Sequence, residues 1–116
     1  MRRDRIPNRG LPPDENASEA QINRTHAEIA DQSGEMPELD LHGKTREEAS
    51  LKVKNYIEQM NAAGATSCRI VHGKGTGVLK RLVAEEIKNF TAQGIIATSF
   101  QSKKYPEGAI VVVFRP

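Results

Sequence analysis

Two short apolar segments ending on the same dipeptide constrain this chain more than any other feature. Leu39-Asp40-Leu41-His42 stops at Gly43, and Cys68-Arg69-Ile70-Val71-His72 stops at Gly73. The first alternates apolar and polar residues with the period of two that a pleated strand imposes, and the second is a compact apolar run; both read as strands closed by glycine. Between them, Thr45-Arg46-Glu47-Glu48 fits a capping box with Thr45 at the N-cap and Glu48 three residues on. Ala49, Val53, Tyr56, Ile57 and Met60 then recur at helical spacing, and Gly64 supplies the stop. A strand, a helix and a strand in so few residues predict a right-handed crossover, with the two strands parallel and adjacent.

The rest of the chain extends this unit. Gly73-Lys74-Gly75-Thr76-Gly77 is a glycine-rich loop, followed by a helix with Leu79, Leu82, Val83, Ile87 and Phe90 on one face and broken at Gly94. Ile95–Phe100 and Ala109–Phe114 read as two further strands, joined by a polar loop holding Lys103, Lys104, Pro106 and Gly108. The predicted order is β-α-β-α-β-β. Two helices cover one face of a four-stranded sheet, so the expected fold is an α/β two-layer sandwich on a mixed sheet, its last strand antiparallel to its neighbours. With no Trp and 4% aromatic residues, aliphatic side chains must fill the core. A chain of 116 residues has room for one such core.

Residues 1–38 lie outside this pattern and are expected to be a mostly disordered tail, leaving residues 39–116 as the domain. Pro7, Pro12 and Pro13 break up the start. Between Ser18 and Ala30 the composition tolerates a short helix through Ala20, Ile22, Ala27 and Ile29, but that stripe is too thin to hold it in place. Charge divides at the same boundary. The tail carries five Lys and Arg against eight Asp and Glu, whereas the domain carries twelve against seven. A basic folded part favours an anionic partner such as a phosphate backbone. The single cysteine, Cys68, excludes an intramolecular disulfide and a Cys-based zinc site, and reads as a small buried apolar residue. No apolar run approaches the roughly 18–20 residues that span a membrane. The opening MRRDRIPNRG lacks the apolar stretch of a secretory signal, so a cytoplasmic location is expected.

Asp40 and His42, two apart on a strand, are expected to share a face, and His42 and His72 to stand at the carboxyl ends of neighbouring parallel strands. Ligands of open α/β sheets bind beyond those ends. Near neutrality one imidazole can accept a proton while another donates one, which cleavage of RNA through its 2′-hydroxyl requires. A carboxylate two residues from a histidine can set its tautomer, as in catalytic triads. Alternatively, Asp40 with the two histidines could hold a divalent ion such as Mg or Mn, although the spacing fits no familiar metal motif. The Gly73–Gly77 loop opens a helix, so its backbone N–H groups can approach a phosphate, with Lys74 adding a full charge. It is neither a P-loop nor a dinucleotide fingerprint, because the required spacing is absent. Each feature also has a plain reading: a hydrogen-bonded surface histidine, a turn-forming Asp, a tight glycine turn, a solvated helix face. His26, in the tail, carries no specific expectation. The residues alone reach a phosphate-bearing ligand that could be cleaved, and no further.

Leu39-Asp40-Leu41-His42-Gly43 and, thirty residues on, His72-Gly73-Lys74-Gly75-Thr76-Gly77 resemble the two signature motifs of the Smr (small MutS-related) family. The resemblance runs through both helices to the closing Gly108–Val113 strand. It implies a fold like the C-terminal domain of bacterial translation initiation factor three, and an endonuclease that nicks DNA or cleaves RNA, in some members at stalled ribosomes. It carries over Asp40 and His42 as the catalytic pair, and His72 and Lys74 as loop residues that contact phosphate or assist proton transfer. The catalytic residues expected are thus Asp40, His42 and His72, and the phosphate-contacting positions Gly43, Gly73, Lys74, Gly75, Thr76 and Gly77. Lys80, Arg81, Lys103, Lys104 and Arg115 are expected to add sequence-neutral contacts to the nucleic-acid backbone. The expected partner is DNA or RNA, with the ribosome as a further one, and the expected state is a monomer or weak dimer. Two rival readings stand beside this: a non-catalytic adaptor that binds nucleic acid or the ribosome, as in members lacking the first-motif histidine, and an enzyme acting on a small phosphate ester.

Overall fold

The computed structural model describes residues 12–33 and 35–116, without the side chains of residues 12–18. Three helices, α1 (Pro12–Ser33), α2 (Arg46–Ala62) and α3 (Val78–Ala92), accompany four strands, β1 (Glu38–Asp40), β2 (Ser67–Val71), β3 (Ile96–Gln101) and β4 (Ala109–Phe114). From β1 onward the order is the predicted β-α-β-α-β-β. The strands lie in the order β1-β2-β4-β3. β1 and β2 are parallel, and β4 runs antiparallel to both β2 and β3. The sheet is therefore mixed, with the parallel crossover at one edge.

Local chemistry explains where the helices begin. Thr45 Oγ1 accepts the Glu48 N–H at 3.2 Å and Glu48 Oε1 accepts the Thr45 N–H at 2.9 Å, which is the predicted capping box. Ala49, Val53 and Ile57 of α2 and Val83, Ile87 and Phe90 of α3 are buried. They pack on Leu41, Cys68, Ile70, Val112 and Phe114 from one face of the sheet. Cys68 is buried, as its position in an apolar strand predicts, and burial pushes its thiol pKa up to about 12.

The segment expected to be a tail is different. Residues 12–33 form α1, which packs across the opposite face of the sheet and makes a third layer. Pro12 and Pro13 occupy its first turn, where the missing N–H has no helical acceptor to lose. The thin apolar stripe is real: among the described side chains of α1, only Ala27 is buried in a small cluster with Val111 and Val113, alongside Met36 and Phe100. Polar anchors supply the rest. Asp31 is 1% exposed and meets the buried Arg69 of β2 with Asp31 Oδ1 to Arg69 Nη1 at 2.7 Å. The Arg24 guanidinium lies 5.2 Å from the centre of the Phe100 ring. Residues 1–11, including Pro7, lie outside the described residues.

Candidate functional site

Strand direction decides what meets at each end of the sheet. Asp40 pairs with Val71 at the carboxyl ends of β1 and β2, and antiparallel pairing sets Ala109 of β4 beside Val71. The β3–β4 connection, residues 102–108, therefore sits at the same end as His42, His72 and the glycine loop. Both α2 and α3 also begin there. Arg115 does not: it follows Phe114, whose N–H bonds Thr66 O, and its own N–H bonds Ile95 O at 3.0 Å. That is the far end of the sheet, about 20 Å away at roughly 3.3 Å per strand residue. Because β4 runs back along β2, Arg115 is set apart from the other expected contacts.

β1 ends at Asp40, two residues short of the predicted end at His42. Leu41 still donates to Val71 O at 2.9 Å, and Lys44 donates to Leu41 O at 3.0 Å, closing a turn around Gly43. Gly43 has φ of 74°, the left-handed conformation that favours glycine there. Asp40 Oδ1 accepts the His42 backbone N–H at 2.9 Å. Its carboxylate thus shapes the turn that presents an exposed His42, rather than holding the His42 ring. Alternation separates the residues further. Leu39, Ile70 and Cys68 face α2 and α3, so His72 falls on that side, whereas Asp40 shares the opposite face with Glu38 and Arg69. Asp40, His42 and His72 share one end of the sheet, but Asp40 and His72 do not share a face.

His72 is held tightly. The His72 and Gly73 N–H groups both donate to Gly108 O at 2.9 Å, and the residue is buried at 8% exposure. His72 Nδ1 lies 2.7 Å from Gly73 O. A carbonyl oxygen only accepts, so Nδ1 carries the proton and Nε2 is the nitrogen left to exchange one. Lys74, Gly75 and Thr76 are exposed beyond it, as are Lys80, Arg81, Lys103 and Lys104. The Lys74 stem passes close to Gly108, within 3.9 Å of where a β-carbon there would stand.

The two helix starts at this end differ in a way that bears on anions. α2 has Glu47 and Glu48 in its first turn and a closed capping box. α3 begins at Gly77, φ 92°, with no side-chain cap and no acidic residue in its first turn. Its leading N–H groups are thus left for an outside acceptor, and the loop before them carries Lys74. Beside it, a cleft of about 390 Å³ between α2 and α3 is lined by Arg46, Ser50, Arg81, Leu82, Glu85 and Glu86.

The Smr domain family model matches residues 39–115. This chain belongs to the Smr domain family. The crystal structure of the Smr domain of Thermus thermophilus MutS2 superposes with a TM-score of 0.62 at 32% identity, covering 69% of this chain and 99% of that one. YdaL, a stand-alone small MutS-related protein from Escherichia coli, shares the fold with a TM-score of 0.63 at 24% identity, covering 68% of this chain and 64% of that one. Among curated relatives, Endonuclease MutS2 of Halalkalibacterium halodurans is 50% identical over 52 residues, 45% of this chain and 7% of that protein. Endonuclease MutS2 of Caldanaerobacter subterraneus subsp. tengcongensis is 38% identical over 72 residues, 62% of this chain and 9% of that protein. The chain thus spans less than a tenth of the length of these relatives. The matched Smr segment begins after α1.

Several residues that shape this end of the sheet carry no sequence motif. Gly108 reads only as a loop residue, yet its carbonyl ties the His72-Gly73 step to the β3–β4 connection. Nothing local marks Asp31 or Ser102. One signal is present: Ala109–Phe114 is apolar at every position, the mark of a strand covered on both faces. Among the described residues no group of three or more His, Cys, Asp or Glu comes together to hold a metal ion. The donor set of Asp40 and the two histidines, divided between two faces, does not fit a protein-held divalent ion. Also among the described residues, no helix is long and apolar enough to cross a membrane.

Proposed function

We propose that this chain binds nucleic acid across the carboxyl end of its sheet and cleaves a phosphodiester bond there. The observation that carries the reading is the shared end: an exposed His42, a His72 whose Nε2 is left to exchange a proton, the uncapped start of α3, and Lys74, Lys103 and Lys104 around them. The MutS2 relatives being endonucleases by name supports it.

The chemistry follows from these groups. One histidine takes the proton of an RNA 2′-hydroxyl, whose oxygen attacks phosphorus as the bond to the 5′-oxygen breaks. The other protonates that leaving oxygen, so the proton inventory balances and a 5′-hydroxyl is released. The amides of Gly75–Gly77 and Lys74 stabilise charge building on the phosphoryl oxygens. Lys80, Arg81, Lys103 and Lys104 engage neighbouring phosphates without reading sequence. No step is routed through a metal ion. Ribosome-bound messenger RNA is one substrate that this reading admits.

The test is cleavage of matched end-labelled RNA and DNA by wild type and His42→Ala, each with magnesium and with EDTA. RNA cut in EDTA, leaving a 5′-hydroxyl and slowed by roughly 10²–10⁴-fold in the variant, is the expected result. The burial of His72 and the use of Asp40 in a turn favour a second reading, an adaptor that binds without cutting. Binding retained with no cleavage of either polymer would establish that reading and sink the first.

A further inference from the structure

Asp31 lies outside the matched Smr segment, yet it touches the part of the domain that carries Lys103 and Lys104. Its Oδ1 accepts Arg69 Nη1 and Ser102 Oγ, both at 2.7 Å, and its Oδ2 accepts the Lys103 backbone N–H at 2.8 Å. Ser102 Oγ in turn accepts the Tyr105 N–H at 3.1 Å. Tyr105 O accepts the Gly108 N–H, and Gly108 O accepts the N–H groups of His72 and Gly73, all at 2.9 Å. The centre of the Tyr105 ring lies 5.1 Å from the Arg69 guanidinium and 5.5 Å from Lys104 Nζ. An unbroken run of hydrogen bonds therefore leads from α1 through the β3–β4 connection to the glycine loop.

We propose that Asp31 is a positioning residue for the nucleic-acid site: from α1 it holds the β3–β4 connection so that Lys103 and Lys104 stand beside the His72-Gly73 loop. A surface loop with two lysines repels itself and has many conformations open to it. One buried carboxylate removes most of them by holding a backbone N–H, a hydroxyl and a guanidinium together. Burial alone would raise the pKa of Asp31, but the bonds from Ser102, Lys103 and Arg69 outweigh it and hold the carboxyl below the usual carboxylate range. It is therefore fully charged near neutral pH. The N-terminal helix thus becomes part of the binding site without touching the ligand. This rests on the nucleic-acid reading above.

The test uses the full chain and a fluorescent 20-nucleotide single-stranded RNA, with the matching DNA, titrated at several salt concentrations below the melting temperature of every variant. Asp31→Asn keeps the size but turns an amide toward one of its three donors. It is expected to weaken binding and to flatten the slope of log K against log salt by about 0.7 for each lysine that no longer meets a phosphate. In a Lys103→Ala/Lys104→Ala background it should have no further effect. Ser102→Ala, which removes the hydroxyl link alone, should move binding in the same direction and serves if Asp31→Asn does not fold. A lowered melting temperature with unchanged affinity and salt slope would overturn the proposal, as would a loss that simply adds to that of the lysine variant. Amide hydrogen exchange separates this from the parent reading. If wild type binds neither probe, the nucleic-acid reading fails, and faster exchange at Lys103, Gly108, His72 and Gly73 in Asp31→Asn still upholds the positioning. Unchanged exchange at those amides overturns it.

Discussion

The two faces of the sheet are closed by different physics. Toward α2 and α3, Cys68, Ile70, Val112 and Phe114 meet Val53, Ile57, Val83, Ile87 and Phe90 in an apolar core. Such burial is non-directional and tolerates small adjustments of side chains. Toward α1 the apolar contact shrinks to Ala27, Val111 and Val113 with their neighbours, and the fixed points are Arg69, Asp31, Glu38 and Ser102. Hydrogen bonds at 2.7–2.9 Å specify distance and direction, so the second face decides where α1 and the β3–β4 connection sit. The first face holds the domain together, and the second fixes the position of the β3–β4 connection.

Removing the buried cation should have the largest effect. Arg69→Met is expected to cost about 3–5 kcal/mol, the range for orphaning one member of a buried pair. Undocking of α1 returns Asp31 to water and so caps the loss. Chemical denaturation gives the total, and limited proteolysis within α1 should rise before the domain itself unfolds. A loss spread evenly over the molecule would show that the two faces are not separable.

Acid should produce a smaller, graded version. Asp31 has a folded-state pKa below its unfolded value of about 3.9. Its stabilisation is therefore fully present above that unfolded value and is lost as pH falls through the folded one. Protection of α1 amides should decline over that acid range, ahead of those in α2. Toward α2 and α3, the buried Cys68 thiol, raised to about 12, stays neutral throughout. The smallest effect belongs to that face: Ile57→Val is expected to cost about 0.5–1.5 kcal/mol of global stability and to leave proteolysis of α1 unchanged.

Legibility in the sequence follows the same division. The parallel start, the capping box at Thr45 and the apolar faces of α2 and α3 are local patterns, and each appears where the residues place it. The glycine loop and its uncapped helix are also local. Hidden from the sequence are the features that depend on contacts between distant segments. Arg69 counts among the basic residues of the domain, but it is buried against acidic partners and adds nothing to the surface field. Asp40 reads as a partner for a histidine ring, whereas its nearest donor is a backbone N–H two residues away. Arg115 reads as one more cation until the antiparallel return of β4 carries it to the far end.

Periodicity, capping and glycine placement determined the element order and the end of the sheet at which the two His-Gly steps meet, because they act within a few residues of the chain. That residues 12–33 join the domain follows from contacts made only on folding. The described side chains of α1 offer too little apolar surface to dock by hydrophobic burial alone, and its anchor requires Arg69 and Ser102, distant in sequence, to converge on the buried carboxylate of Asp31. No local pattern encodes that convergence. It exists only once β2 and the β3–β4 connection are already side by side.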